Sequence, residues 1–338
     1  MSGGYDNLTI GGCSTISGGY ENTVSGDYGS IGGGANNTIS TYSGYATIGG
    51  GDDNTILSGE APTISGGENN TVSGCYSTVG GGNYNVIEES SSDSGDVYAS
   101  TIGGGSCNTI GTISAYYDVY GSTIGGGSFN TITSYSGYED SYGNTIAGGT
   151  CNTTVSSYYN GQTIGGGYRN ASRGNYSTVS GGRNNTSSNY ASTVSGGRSN
   201  TSSCYFSTVS GGRNNTSSGD YSFIGGGKCN ITENQLDTIG GGGKNTTMLS
   251  GSVIGAATIS GGYNNTSGNY YTFNGSGCNN IVLGEYSSIV GGQNNQNITG
   301  LVQQVSFNTG DASAISDNTY SVYPTNKLPI NVNVLPLT

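Results

Sequence analysis

Few residues in this chain could carry chemistry, and their arrangement decides which chemistries are open. Three adjacent carboxylate pairs occur, Asp52-Asp53, Glu88-Glu89 and Glu139-Asp140, and paired carboxylates are what glycosidic cleavage uses. The sequence has no histidine, which removes imidazole triads and His-based acid–base catalysis. All three pairs fall at turns or in inserted stretches, where a solvated charge is the ordinary explanation. The expectation is a protein that is not an enzyme, with glycan depolymerisation as the least favoured alternative. Seven cysteines (Cys13, Cys75, Cys107, Cys151, Cys204, Cys229 and Cys278) contain no CxxC spacing, so no metal site is expected. Those five residues after an apolar anchor never occupy adjacent turns. In-chain disulfides are therefore not expected, and bonding between chains stays open. The Gly-Gly-Gly runs lack a following GK[ST] and precede no predicted helix, so no phosphate-binding cofactor is expected.

Arg183, Arg198 and Arg213 recur at a spacing of 15 residues, which stacks them in a repeat of that period. Like charges ~5 Å apart repel, so the row calls for a counter-charge: an acidic surface glycan, a neighbouring subunit, or solvent as the default. The net charge is −12, and no Lys or Arg precedes Arg169. That acidity disfavours nucleic acid as a partner of the first half.

The strongest signal is an internal repeat, T-[I/V]-x-G-G-x-x-N. It places an asparagine six residues after each anchor: Asn7, Asn22, Asn37, Asn54, Asn70, Asn85, Asn108, Asn130, Asn152, Asn170, Asn185, Asn200, Asn215, Asn230, Asn245, Asn265, Asn279 and Asn295. The anchors run from Met1 through Ile16 and Val179 to Phe273 and Ile289, and a Gly stands two residues after every one. Stacked asparagines can hydrogen-bond side chain to side chain along a parallel solenoid. The alternative, a polar array that binds a ligand, is disfavoured because the flanking glycines imply a tight corner.

The elements that must position these residues are short. Ser177-Thr178-Val179-Ser180 alternates polar and apolar, which predicts a brief strand with Val179 inward. Gly181-Gly182 ends it, and residues 184–188 form a second extended piece. The fold class expected is all-β, a parallel solenoid of about eighteen turns with a 15-residue period. Expanded turns carry their additions at 88–99, 112–121 and 134–143, as a solenoid permits at one corner. A Thr column (Thr15, Thr47, Thr178, Thr272 and others) precedes the anchors. A T-x-T grid would order ice-like water, but Ser and Gly fill the second column, so ice binding remains an alternative only.

With 31% hydrophobic residues and 66 glycines, a single turn cannot offset its own ordering entropy, so stability must come from stacking and from neighbouring chains. No hydrophobic leader is visible, and no run approaches the ~20 apolar residues of a membrane span. The solenoid is expected over 1–300. The segment 301–338, with Pro324, Pro329 and Pro336, is expected to be a cap or assembly tail.

The units Tyr176–Gly182 (YSTVSGG) and Tyr221–Gly227 (YSFIGGG), with Asn185 and Asn230 behind them, resemble YadA-like head repeats. Such repeats occur in trimeric autotransporter adhesins and in fibres of phages and large DNA viruses. The resemblance covers about residues 1–300. It implies a left-handed β-roll, a homotrimer, and attachment to surfaces. The missing leader, coiled-coil stalk and membrane barrel point to a virion component, extracellular or on the virion surface. Asp317–Pro329 (DNTYSVYPTNKLP) is similar to segments that close such repeat regions in large-virus proteins.

Overall fold

A computed structural model describes residues 3–88, 96–112, 118–134, 140–155, 161–248 and 255–297, together with the backbone of 156, 305–311 and 321–323. Met1, the interiors of the three insertions (with Glu89 and Glu139) and the proline-bearing stretch 324–338 lie outside the described residues. The chain divides into two compact units, Met1–Phe206 and Ser207–Thr338.

In the first unit each turn contributes two short strands. Thr178–Val179 belongs to one column and Thr186–Ser187 to the other. Every strand pairs in parallel with its equivalent one turn away: Val179 sits beside Ile164 and Val194, and Thr186 beside Ala171 and Thr201. The second unit repeats the pattern, with Ile239 between Ile224 and Ile259. No helix occurs among the described residues. This is an all-β parallel solenoid. Most of its strands are only two to four residues long because glycines and left-handed corners break the chain.

Two inward columns fill the interior. The anchors (Ile16, Ile31, Ile48 and onward to Val194) are fully buried. A second column, eight residues after each anchor, is apolar at Val24, Ile39, Ile56, Val72, Ile87, Ile110 and Ile132, then becomes Thr154, Ser172, Ser187 and Ser202. Early turns thus bury two aliphatic residues each, and later ones such as Val179 with Ser187 bury one. In the later turns hydroxyls replace the missing methyls: Ser172 Oγ lies 2.6 Å from Ser177 Oγ, and Ser187 Oγ 2.6 Å from Ser192 Oγ. Pairing lets the hydroxyls be buried without the penalty of an unmade bond.

The second unit continues the hydroxyl interior, with Ser217 and Ser222 2.6 Å apart. It also buries Asp237, the single fully enclosed carboxylate among the described residues. Asp237 Oδ1 accepts the Ala257 N–H at 2.8 Å and Oδ2 accepts the Asn234 N–H at 3.0 Å. Burial pushes its carboxyl above the usual carboxylate range despite these bonds.

One turn corrects the sequence register. Asn274, not Phe273, occupies the anchor position: it is fully buried and sits beside Ile259 and Ile289, while Phe273 is 37% exposed. The ladder asparagine of this turn is accordingly Asn280, and Asn279 stands at a corner with φ 56°. Hydrophobicity suggests Phe as the inward residue. The backbone ladder of the flanking turns fixes the register instead, and the narrow interior is built for Val and Ile. Ser276 thus takes the place expected for Gly. Thr272 leaves the outward Thr column and turns inward, 2.8 Å from Ser267. Cys278 moves one place, into the column of Tyr263 and Gln293.

Beyond residue 300 the parallel stacking continues: Val305–Asp311 pairs with Ser288–Gln293, with register shifts, and Ser321–Tyr323 pairs with Val305–Asp311.

Candidate functional site

The asparagine column lies inside the turn and uses its whole amide. Asn37 Oδ1 accepts the N–H and the Nδ2–H of Asn54, each at 3.1 Å. Asn37 Nδ2 donates to the carbonyls of Gly33 at 3.1 Å and Gly51 at 2.9 Å. Side-chain-to-side-chain bonding is therefore one part of the ladder, and bonds to glycine carbonyls and the next backbone amide are the larger part. Asn70, Asn85, Asn108, Asn130 and Asn152 repeat the arrangement. For Asn170, Asn185 and Asn200 the preceding Oδ1 accepts the backbone N–H. In the second unit Asn230, Asn245, Asn265, Asn280 and Asn295 do the same. The glycine before the corner makes this possible: a Cβ on Gly182, at φ +88°, would overlap the Gly197 carbonyl and sit 2.6 Å from Asn185 Nδ2.

The arginines lie on an exposed corner, four residues after their anchors. In the first unit Arg183 and Arg198 are bridged neighbours, with Tyr168 one turn before Arg183. The guanidinium of Arg183 lies 5.5 Å from the Tyr168 ring centroid, and that of Arg169 5.0 Å. An aromatic face thus softens the repulsion between stacked cations. In the second unit Arg213 neighbours Lys228. Of the acidic pairs, Asp52 and Asp53 are both exposed, with Asp53 in the left-handed corner at φ 54°. None of the seven cysteines is disulfide-bonded.

Two features were not anticipated. The C-terminal ends of the insertions are ordered, and Val97–Tyr98, Val119–Tyr120 and Ser141–Tyr142 form a third parallel sheet. Tyr98, Tyr120 and Tyr142 stack with ring centroids 5.1 Å apart at each step. Each phenol donates to the aspartate two residues earlier: Tyr98 to Asp96 at 2.9 Å, Tyr120 to Asp118 at 2.7 Å, Tyr142 to Asp140 at 2.9 Å. The other carboxylate oxygen accepts the backbone N–H of the preceding turn's aspartate, Asp96 N to Asp118 Oδ1 at 2.8 Å and Asp118 N to Asp140 Oδ1 at 3.1 Å. Donation to Asp96 pushes the Tyr98 hydroxyl up to about 12, and donation to Asp118 pushes Tyr120 higher. The sequence carries the signal: Asp-Val-Tyr, Asp-Val-Tyr and Asp-Ser-Tyr recur at 22 residues, in phase with the expanded turns.

The second feature is a column at positive φ, three residues before the anchors, in which aromatic residues are interspersed with small ones such as Ala61, Ala99, Gly161 and Ala191. It includes Tyr28, Tyr45, Tyr76, Tyr176 and Phe206, with φ between 54° and 57°. These rings are 44–59% exposed. The other left-handed corner, five residues after the anchors, carries Tyr84, Phe129 and Arg169 but also Asp6, Asn36, Asp53, Asn69 and Asn184, residue types that tolerate this conformation. The aromatic column carries none of those types.

No family model matches the chain, and no curated protein matches it. The fold defines the class: a repeat protein of the parallel β-solenoid type.

Proposed function

We infer that this chain is a non-enzymatic structural fibre, a homotrimer displayed on a virion or cell surface and serving attachment or assembly. The exposed aromatic column carries the reading. A bulky residue in the left-handed region costs roughly 1–3 kcal/mol; stacking between turns, as of Tyr28 on Tyr45, recovers part of it and leaves the outer half of each ring uncovered. Contact with another chain recovers the rest, because exposed aromatic rows are what interfaces bury. The polar groups that a binding cleft would need are meanwhile consumed inside the turn by the asparagine ladder. The insertions at 88–99, 112–121 and 134–143 and the Arg183–Arg198 corner are the candidate contacts with a receptor or an acidic glycan.

Nucleic acid is not a proposed partner, and no helix among the described residues is long and apolar enough to cross a membrane. Light scattering on purified protein tests the oligomer: a mass of three chains is expected, and a stable folded monomer would sink the reading. Ice binding is the second reading, resting on the stacked Thr47, Thr63 and Thr78 column. Thermal hysteresis absent at millimolar protein would end it.

A further inference from the structure

The tyrosine–aspartate ladder has the parts of an oxidation site. Three phenols stand one per turn, with planes within 10° of parallel and centroids 5.1 Å apart. Each hydroxyl already donates to a carboxylate, at 2.7–2.9 Å. The three carboxylates are themselves stacked, one strand spacing of about 5 Å apart. No Lys or Arg occurs in the first 168 residues to neutralise them. The chain has no tryptophan, so tyrosine is its most readily oxidised aromatic side chain. Cys75 occupies the rung before Tyr98.

We propose that Tyr98, Tyr120 and Tyr142 form a site of oxidative cross-linking, at which a peroxide-derived one-electron oxidant joins neighbouring turns through dityrosine. Each phenol gives one electron to the oxidant and its hydroxyl proton to the Oδ2 of its aspartate. Two adjacent phenoxyl radicals then couple at ring carbons ortho to oxygen. The hydrogens on those carbons leave as protons and each oxygen regains one as the rings rearomatise. The net loss per link is two electrons and two protons, which convert one hydrogen peroxide to two waters. The bound carboxylate holds each phenol in its protonated form, so the free phenolate is not the species oxidised. Electron and proton leave together. The bond locks one turn of the third sheet to the next within one chain, independently of oligomeric state.

The Tyr28–Tyr45 pair supplies an internal comparison, since its rings stack closer, at 4.8 Å, with no carboxylate of the described residues hydrogen-bonded to either hydroxyl. The full-length protein is treated with a peroxidase and hydrogen peroxide, dityrosine is read by its fluorescence, and the joined peptides are mapped by mass spectrometry. Links between Tyr98 and Tyr120, or Tyr120 and Tyr142, are expected at several times the yield of Tyr28–Tyr45. Asp118→Asn keeps an acceptor for the Asp96 N–H but removes the base, and is expected to bring the Tyr120 yield down to the Tyr28–Tyr45 level. Tyr120→Phe is expected to abolish every link within the ladder. As a readout on unaltered protein, ladder oxidation is expected to run at least twofold slower in D2O. Equal yields at the two sites, links only between molecules, or an unchanged Asp118→Asn yield with no isotope effect would overturn the proposal.

Discussion

Asn37 Oδ1 accepts two bonds from Asn54, one from the backbone N–H and one from Nδ2, both at 3.1 Å. One side chain thereby ties two turns through main chain and side chain at once. The same amide closes its own corner through the Gly33 carbonyl and reaches the next turn through that of Gly51. Removing it strands several buried groups together, and an unmade buried bond costs about 1–3 kcal/mol. Asn37→Ala is expected to destabilise by about 3 kcal/mol, read from urea unfolding. Asn37→Asp should be worse, because it sets a charge against the two carbonyls that Nδ2 now serves. Equal stability of Asn37→Asp and wild type would show that the donors contribute nothing.

The paired glycines are not equivalent. A Cβ on Gly181 meets only the Gly166 carbonyl at 4.0 Å, whereas one on Gly182 collides with the next turn at φ +88°. Gly181→Ala should change stability by less than about 1 kcal/mol, and Gly182→Ala by more than about 3 kcal/mol. Thermal melts of the two variants side by side check this.

The second inward column sets how strongly successive turns are held. Ile56 is fully buried among aliphatic neighbours, and truncating such a residue costs about 2–5 kcal/mol. Ser187 is held instead by its 2.6 Å contact with Ser192. Ile56→Ala is expected to cost at least twice as much as Ser187→Ala, which loses a net bond of about 1 kcal/mol. Similar losses would mean that the aliphatic column adds nothing over the hydroxyl one.

The aromatic corner separates folding from association. Tyr76, at φ 54° and 54% exposed, hydrogen-bonds to Glu60 of the preceding turn but leaves much of its ring uncovered. Tyr76→Asn should stabilise the isolated fold by about 0.5–1 kcal/mol by relieving the corner. The same variant should weaken self-association at least tenfold in sedimentation. A loss on both measures would place the ring's role inside the turn.

The Tyr98 hydroxyl is raised from its usual value to about 12 by Asp96. A pKa higher in the folded than in the unfolded chain stabilises the fold fully below pH ~10, and that contribution is lost as pH rises from ~10 through ~12. Absorbance at 295 nm should show Tyr98 and Tyr120 ionising after the bulk of the tyrosines. Asp96→Asn should return Tyr98 to the bulk, and a single coincident titration in the wild type would contradict the ladder geometry.

Period, strand class, inward anchors and the asparagine column were all legible in the sequence. Each depends on local pattern repeated many times, and repetition averages out local ambiguity. Where one turn lost the pattern, the sequence misled: Phe273 outweighs Asn274 in hydrophobicity, yet the hydrogen-bond register of the flanking turns puts Asn274 inside. Tertiary structure alone decided three further things. It paired Ser172 with Ser177 and Ser187 with Ser192 across the coil, because residues five apart meet only when the turn closes. It brought Asp96, Asp118 and Asp140 into one row with their tyrosines, because residues 22 apart become neighbours only when turns stack. It turned Tyr28, Tyr45 and Tyr76 outward at left-handed corners, a backbone state that side-chain chemistry disfavours and that the closing of the turn imposes.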